Sequence, residues 1–388
     1  MKQAAQTIFL GLVFLLMYGA LATPVLAIED PHSVPNNKFG IHILFPSELE
    51  QAANLVNSNG GDWGYIVIPI QSGDKDLEKW QAFMDSAKKL HVIPIVRLAT
   101  EGDYFNTKVW RKPNDNDIAD FANFLNSLDW PVKNRYIIVY NEVNRSDEWG
   151  GEVSPAEYAQ LLSFTTTVFK SKSPDFFIIS AGLDNAAPNK AGEFMNEYDY
   201  LQAMDAAVPG VFRQIDGFAS HSYPNPGFSQ PPTRLTRESI GSFEYEKSLL
   251  DQLSSKNLPV FITETGWSNT AVLDTIISNY YKQAFSDVWS NDAIVTVSPF
   301  LLSADSGPFA QFAFVKAGSQ TPQYTAVKEL SKIKGKPSVS EQVLAESTNN
   351  IPHNLPVKDF SDNSHGNPLH ITIPSPMKQF FEKMLHIK

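Results

Sequence analysis

The chain has 388 residues, 43% of them hydrophobic and 19% charged, which suits a globular protein and excludes an intrinsically disordered one. Its formal net charge of −11 excludes a nucleic-acid partner, because a phosphate backbone selects for Lys and Arg. It has no cysteine, so stability must come from the core without disulfides.

Residues 1–27 read as a secretory signal. Lys2 gives the positive start, Ile8 to Leu21 is apolar, and Ala20, Ala22 and Ala27 supply small residues for cleavage. A secreted or cell-envelope location follows. The alternative is an uncleaved N-terminal anchor, which would be the chain's one membrane contact.

From 36 to 335, strand-like and helix-like pieces alternate. Strands are expected at 38–45, 64–70, 92–98, 135–141, 176–181, 214–220, 259–264 and 293–301. Most are continuous apolar runs, as parallel strands covered on both faces should be. Between them, Ser47-Glu48-Leu49-Glu50 has capping-box spacing, and Ser154-Pro155-Ala156-Glu157 repeats it with proline at the first helical position. Ile118, Phe121, Ala122 and Leu125 mark an amphipathic helix, and Thr321-Pro322 opens the last one before Gly335. Further helices fit 76–90, 193–207, 237–256 and 272–289. Eight strand–helix units in this length predict a single-domain (β/α)8 TIM barrel of the α/β class. A doubly wound open sheet is the rival, but no Gly-rich phosphate loop follows the first strand.

Residues 336–388 change character. Lys336 to Pro374 is rich in Ser, Asn, Pro and His and reads as a flexible tail. Phe380, Phe381, Met384 and Leu385 have helical spacing, which fits a short terminal helix.

In such a barrel, chemistry sits at the C-terminal ends of the strands. Reading those ends gives His42 after the first strand, Arg97 after the third, Asn141 and Glu142 after the fourth, His221 and Tyr223 after the sixth, and Glu264 after the seventh. Two apolar runs, Ile137 to Tyr140 and Pro259 to Ile262, each lead into one of the two glutamates. A glutamate alone at a strand end reads equally as a cap or an ion-pair partner. Two facing each other are what glycoside hydrolysis requires, one to protonate the leaving oxygen and one to attack the anomeric carbon. A carboxyl separation near ~5 Å would give retention, and roughly 6.5–9.5 Å would give inversion.

The pattern of Asn141-Glu142, His221-Ser222-Tyr223 and Glu264, in that order and at those strand ends, resembles the retaining glycoside hydrolases of clan A. The resemblance covers 36–335. It implies that Glu142 is the acid/base and Glu264 the nucleophile, in a retaining double displacement on an oligo- or polysaccharide. It further implies that Asn141 bonds the sugar 2-hydroxyl and that Tyr223 orients the nucleophile with His221 beside it. Arg97 and His42 would be polar groups at the base of the subsite. The chain departs from the family where many members carry a tryptophan at the end of strand eight, since the nearest residue here is Phe300.

Trp63, Trp110, Trp149 and Trp267 lie near expected loops or strand starts, and one or two of them are expected to stack on sugar faces, foremost Trp149 in the loop after Glu142 and Trp267 just after Glu264. Gly150-Gly151 would let the Trp149 loop move. Tyr140 is expected to face away from Glu142 and to serve packing. Pro224, Pro226, Pro231 and Pro232 would stiffen the loop 222–236 into a fixed rim. The scattered histidines predict no metal site, and no cofactor is implied. A transglycosylase would share the same carboxyl pair. A catalytically silent glycan-binding barrel of the cell envelope would share the fold without turnover.

Overall fold

The computed structural model describes residues 28–340. The signal-like segment 1–27 and the tail from 341 onward, where a terminal helix is expected, lie outside the described residues. Eight strands form the centre: β1 (Gly40–His42), β2 (Gly64–Gln71), β3 (Val92–Ala99), β4 (Arg135–Ile138), β5 (Phe176–Ile179), β6 (Phe218–His221), β7 (Val260–Glu264) and β8 (Ile294–Val297). All neighbouring pairs are parallel. β1 to β5 make one continuous sheet and β6 to β8 another. Isolated parallel bridges join them, Ile179 with Gly217 at one seam and Phe39 with Val297 at the other. The result is a closed (β/α)8 barrel, which leaves no strand edge exposed.

Alternation along each strand explains the continuous apolar runs. Val67, Ile93, Ile95, Tyr136, Ile138, Phe177, Ile179, Phe261 and Val295 form one buried cluster. Their neighbours Ile66, Ile68, Val96, Ile137, Ile178 and Ile262 belong to a second, larger cluster with apolar helix residues. Every second residue therefore fills the barrel, and the rest pack under helices, as a sheet buried on both faces demands.

The helices are α1 (Leu49–Val56), α2 (Leu77–Lys89), α3 (Asp115–Asn126), α4 (Pro155–Lys172), α5 (Glu197–Ala207), α6 (Val211–Gln214), α7 (Ser242–Leu253), α8 (Asp274–Gln283) and α9 (Pro322–Glu329). None among the described residues is long and apolar enough to cross a membrane. Several strands are shorter than expected, and most of 214–216 is taken by α6 and the turn after it. The first capping box is shifted: Phe45, not Ser47, precedes a short 3-10 turn, and Glu48 accepts the Leu44 and Phe45 amides at 2.8 Å. At α4 the capping holds on one side, with Ser154 accepting the Glu157 amide at 3.4 Å while Glu157 pairs with Lys112.

The start of the expected tail is not free of the barrel. Lys336 donates its amide to Pro35 at 2.8 Å, and the Ser338 carbonyl accepts from Lys133 at 2.8 Å. Val339 bridges Val132. Residues 336–340 thus run along the barrel surface because their backbone groups find partners there.

Candidate active site

Arg97 continues the inward series Ile93 and Ile95 on β3, so its guanidinium rises from the barrel interior at the C-terminal end. One of its nitrogens donates to Glu264 Oε1 at 2.6 Å and to Asn141 Oδ1 at 2.7 Å. Glu264 is the last residue of β7, and Tyr223 donates to its other oxygen at 3.2 Å. A bulge in the β6–β7 pairing brings His221 opposite Glu264. Bulges beside a site re-aim side chains in this way.

Glu142 arrives differently. β4 stops at Ile138, and Tyr140 takes a left-handed φ of 70°. The chain swings toward β5, where the Glu142 amide donates to the Gly182 carbonyl at 2.9 Å. Glu142 itself has φ 32°, a strained value for a side-chain-bearing residue. Its Oε1 lies 3.0 Å from His221 Nδ1, and its Oε2 lies 3.3 Å from Arg145. Glycine is required at 182, where an added Cβ would fall 2.2 Å from the His221 ring.

The two carboxyls meet. One oxygen of Glu142, a ring nitrogen of His221 and one oxygen of Glu264 all lie within 4.8 Å of one another. The same spacing would admit a cation. Arg97 and Arg145, however, already place two positive charges against these carboxylates, which disfavours a further cation there. Burial opposes a charge on His221, yet Glu264 and Glu142 together outweigh it and raise its pKa. His42 lies beneath, fully buried, with Nε2 3.6 Å from Glu264 Oε1. Burial, then Arg97 and His221, lower its pKa well below the ordinary value, so it stays neutral.

Arg97, Asn141, Glu142, Tyr223 and Glu264 line one cavity of about 380 Å³ at the barrel mouth. That is the lower end of the range for small-molecule sites. His42 and His221 are 0% and 1% exposed and act from behind the carboxylates rather than on the cavity surface.

Both expected tryptophan platforms are corrected. Trp149 is 2% exposed and packs edge-on against Tyr158 at 5.5 Å, and Trp267 is fully buried among Tyr280, Tyr281 and Trp289. Their rings complete the layer under the helices, where a large apolar side chain gains most. The aromatic wall comes instead from Tyr104, Phe105 and Trp110 in the loop after β3, with Phe228, Phe300, Phe309 and Phe312 opposite. Phe300 does face the cavity where a tryptophan stands in many clan A members. Tyr140 packs against Trp149, as expected, but also lines the cavity, because its positive φ breaks strand alternation. The Gly150-Gly151 turn is bonded to the neighbouring loop, with the Gly150 amide donating to Trp110 at 2.8 Å.

Reading strand ends missed Asp184, which follows β5 by one residue more than Glu142 follows β4 and lines the cavity. Burial and the nearby Glu142 raise its pKa. Arg145 was missed too, although it lies only three residues past Glu142, across a turn that its amide closes on the Glu142 carbonyl. It binds Asp147 through Nε at 3.0 Å and Nη2 at 2.7 Å, and reaches Asp184 at 3.4 Å.

The site is thus a pair of close carboxyls, held by arginine, tyrosine and histidine at the C-terminal mouth of a (β/α)8 barrel. Solved structures of similar fold include a family 39 glycoside hydrolase from the gut symbiont Bacteroides cellulosilyticus WH2, at 17% identity and TM-score 0.53. The match covers 77% of this chain and 64% of that one, so the chain spans about two thirds of that protein's length. A glucosidase from Croceicoccus marinus is similar at 10% identity and TM-score 0.54, over 78% of this chain and 67% of that one. No family model matches the sequence, and no curated protein matches it. The likeness is one of fold.

Proposed function

We propose that the chain is an exported glycosidase that cleaves an O-glycosidic bond with retention of configuration. The observation that carries this reading is the separation of the Glu142 and Glu264 carboxyls, whose nearest oxygens come within 4.8 Å at the floor of the cavity. A gap near ~5 Å suits direct attack by one carboxylate and leaves no room for an intervening water. Glu264, with Arg97 on one oxygen and Tyr223 on the other, has the held geometry of the nucleophile. Its attack would form the C1–O bond as Glu142 gives its proton to the departing oxygen. In the second half, Glu142 would take a proton from water, which attacks C1 and releases Glu264. Asn141, bonded to Arg97, is placed for the sugar 2-hydroxyl by its resemblance to clan A members. The apolar segment near the N-terminus supports export.

A matched panel of 2-deoxy-2-fluoro glycosides tests the reading. Mass spectrometry is expected to find one sugar on the peptide containing Glu264. Turnover with an inverted anomer by NMR, and no adduct, would overturn retention. The contact of Glu142 with Arg145 favours a second reading, a silent saccharide-binding barrel. It predicts sugar affinity without turnover. Arg145 makes its hydrogen bonds to Asp147 and Asp184, however, and its 3.3 Å approach to Glu142 is only an ion-pair contact.

A further inference from the structure

After Glu142 the chain makes a 3-10 turn, Ser146–Glu148. Its residues divide sharply. Asp147 holds the Arg145 guanidinium, and Trp149 is driven into the core. Between these anchors, Glu148 lines the same cavity as the carboxyl pair. Its carboxyl makes no hydrogen bond or ion pair with any described residue.

Glu148 is half-buried, so a carboxyl without a protein partner is left to be satisfied by whatever fills the cavity. Glu142, Asp147 and Arg145 face it from its own segment and Arg97 from β3. The loop after β3 brings Tyr104, Lys108 and Arg111 to the same cavity, with Arg111 already held by Glu101 and Asp117. No cation of this set has turned to Glu148.

We propose that Glu148 is a substrate-binding residue, its carboxyl awaiting a hydroxyl of the bound sugar. The proposal rests on the saccharide reading of this cleft and adds a residue that the clan A resemblance does not supply. Burial first, then the charge of Glu142, push Glu148 up to about 8, against the pull of Arg97 and Arg145. Below that pH it is a carboxylic acid, with one donor and free acceptor positions. A sugar hydroxyl is likewise donor and acceptor, so the two can exchange a pair of hydrogen bonds. Once ionised, Glu148 can only accept and adds negative charge beside Glu142. Saccharide affinity should therefore weaken as pH rises through about 8.

Two variants decide the matter, with KM and kcat measured at pH 6 and pH 9 on whichever 4-nitrophenyl glycoside of a panel the wild type turns over. Glu148→Ala is expected to raise KM about tenfold at pH 6, the scale of one or two lost hydrogen bonds, with a much smaller change in kcat. Glu148→Gln keeps a donor and an acceptor but cannot ionise. It should recover most of that affinity and show the same KM at both pH values, whereas wild type binds more weakly at pH 9. Carbon-13 NMR should show a carboxyl resonance, absent in Glu148→Gln, that titrates near 8 and shifts upward when sugar binds. An unchanged KM in Glu148→Ala, or an equal pH response in Glu148→Gln and wild type, overturns the proposal. If the wild type hydrolyses nothing, the glycosidase reading fails on its own. The dissociation constants of cellopentaose and laminaripentaose then replace KM in the same comparison. A wild type that binds no saccharide overturns both.

Discussion

At the scale of single residues, Glu264 is fixed by two donors that do different work. Arg97 supplies charge at 2.6 Å, and Tyr223 supplies direction at 3.2 Å. Glu264→Gln is expected to lower kcat by about 10^4-fold or more while leaving the circular dichroism of the fold unchanged. Tyr223→Phe removes one hydrogen bond to a charged oxygen, so kcat/KM should fall roughly tenfold to a hundredfold. A drop of less than twofold would show that Tyr223 does not orient Glu264 for the proposed attack. His221 offers a pH test. Burial opposes its charge but the two carboxylates win, so its ring should titrate above the ordinary 6.5 in an NMR titration. The stability from that charge is complete below about pH 6.5 and is lost as pH rises through the folded value. A midpoint below 6.5 would contradict the arrangement.

Residue chemistry was legible in the sequence where it followed from strand position. Arg97, His221 and Glu264 come from strands, and Asn141, Glu142 and Tyr223 from the turns just past them, so reading strand ends was enough to collect them. Trp149 and Trp267 misled because proximity to a glutamate in sequence does not fix which way a ring points. Glu148 was invisible for a related reason: its role depends on neighbours that the turn Ser146–Glu148 takes away from it.

At the scale of elements, α5 and α7 meet behind β6 through two fully enclosed acids. Glu197 opens α5, Glu246 lies within α7, and both are 1% exposed. Ser220 of β6 donates to Glu246 at 2.8 Å. Burial first, then the facing carboxyl, pushes Glu197 well up, and burial raises Glu246 as well. The folded pair therefore keeps protons that an unfolded chain releases near the ordinary 4.5. The folded state binds more protons, so stability falls as pH rises from about 4.5 toward and past neutrality. Thermal melting should show Tm declining over that range in wild type, with a flatter profile in Glu197→Gln. An identical slope in the variant would rule out the pair as the cause. Helix positions themselves were largely readable from periodicity. The acid pair was not, because 197 and 246 come together only through the packing of two helices.

At the scale of the whole molecule, the barrel is two sheets joined at two seams by isolated bridges, Ile179 with Gly217 and Asp184 with His221 at one, Phe39 with Val297 at the other. A glycine lies at each. A Cβ on Gly217 would fall 2.7 Å from the Phe261 ring, and one on Gly40 would fall 2.3 Å from the Ser298 hydroxyl. Gly217→Ala should cost about 1–3 kcal/mol in urea unfolding, the usual penalty for overpacking a core. A loss below about 0.5 kcal/mol would mean that this seam yields easily. The eight-unit repeat announced a barrel in the sequence, but the seams did not show, since hydrogen-bond register is not written in apolar runs.

The seams also run between the groups of the candidate site. Arg97 and Glu142 belong to the five-stranded side, while His221, Tyr223 and Glu264 belong to the three-stranded side. The gap between the Glu142 and Glu264 carboxyls is thus a property of a joint, and neither half can set it alone. Warming should open such a joint before it melts either half. Catalysis would then fail several degrees below the loss of near-ultraviolet dichroism, and coincident losses would show the two halves moving as one. A joint of this kind is also adjustable. Substitutions at Ile179 or Gly217, where one seam is bridged away from the cavity, could lengthen the reach between the two carboxyls and admit a water between them.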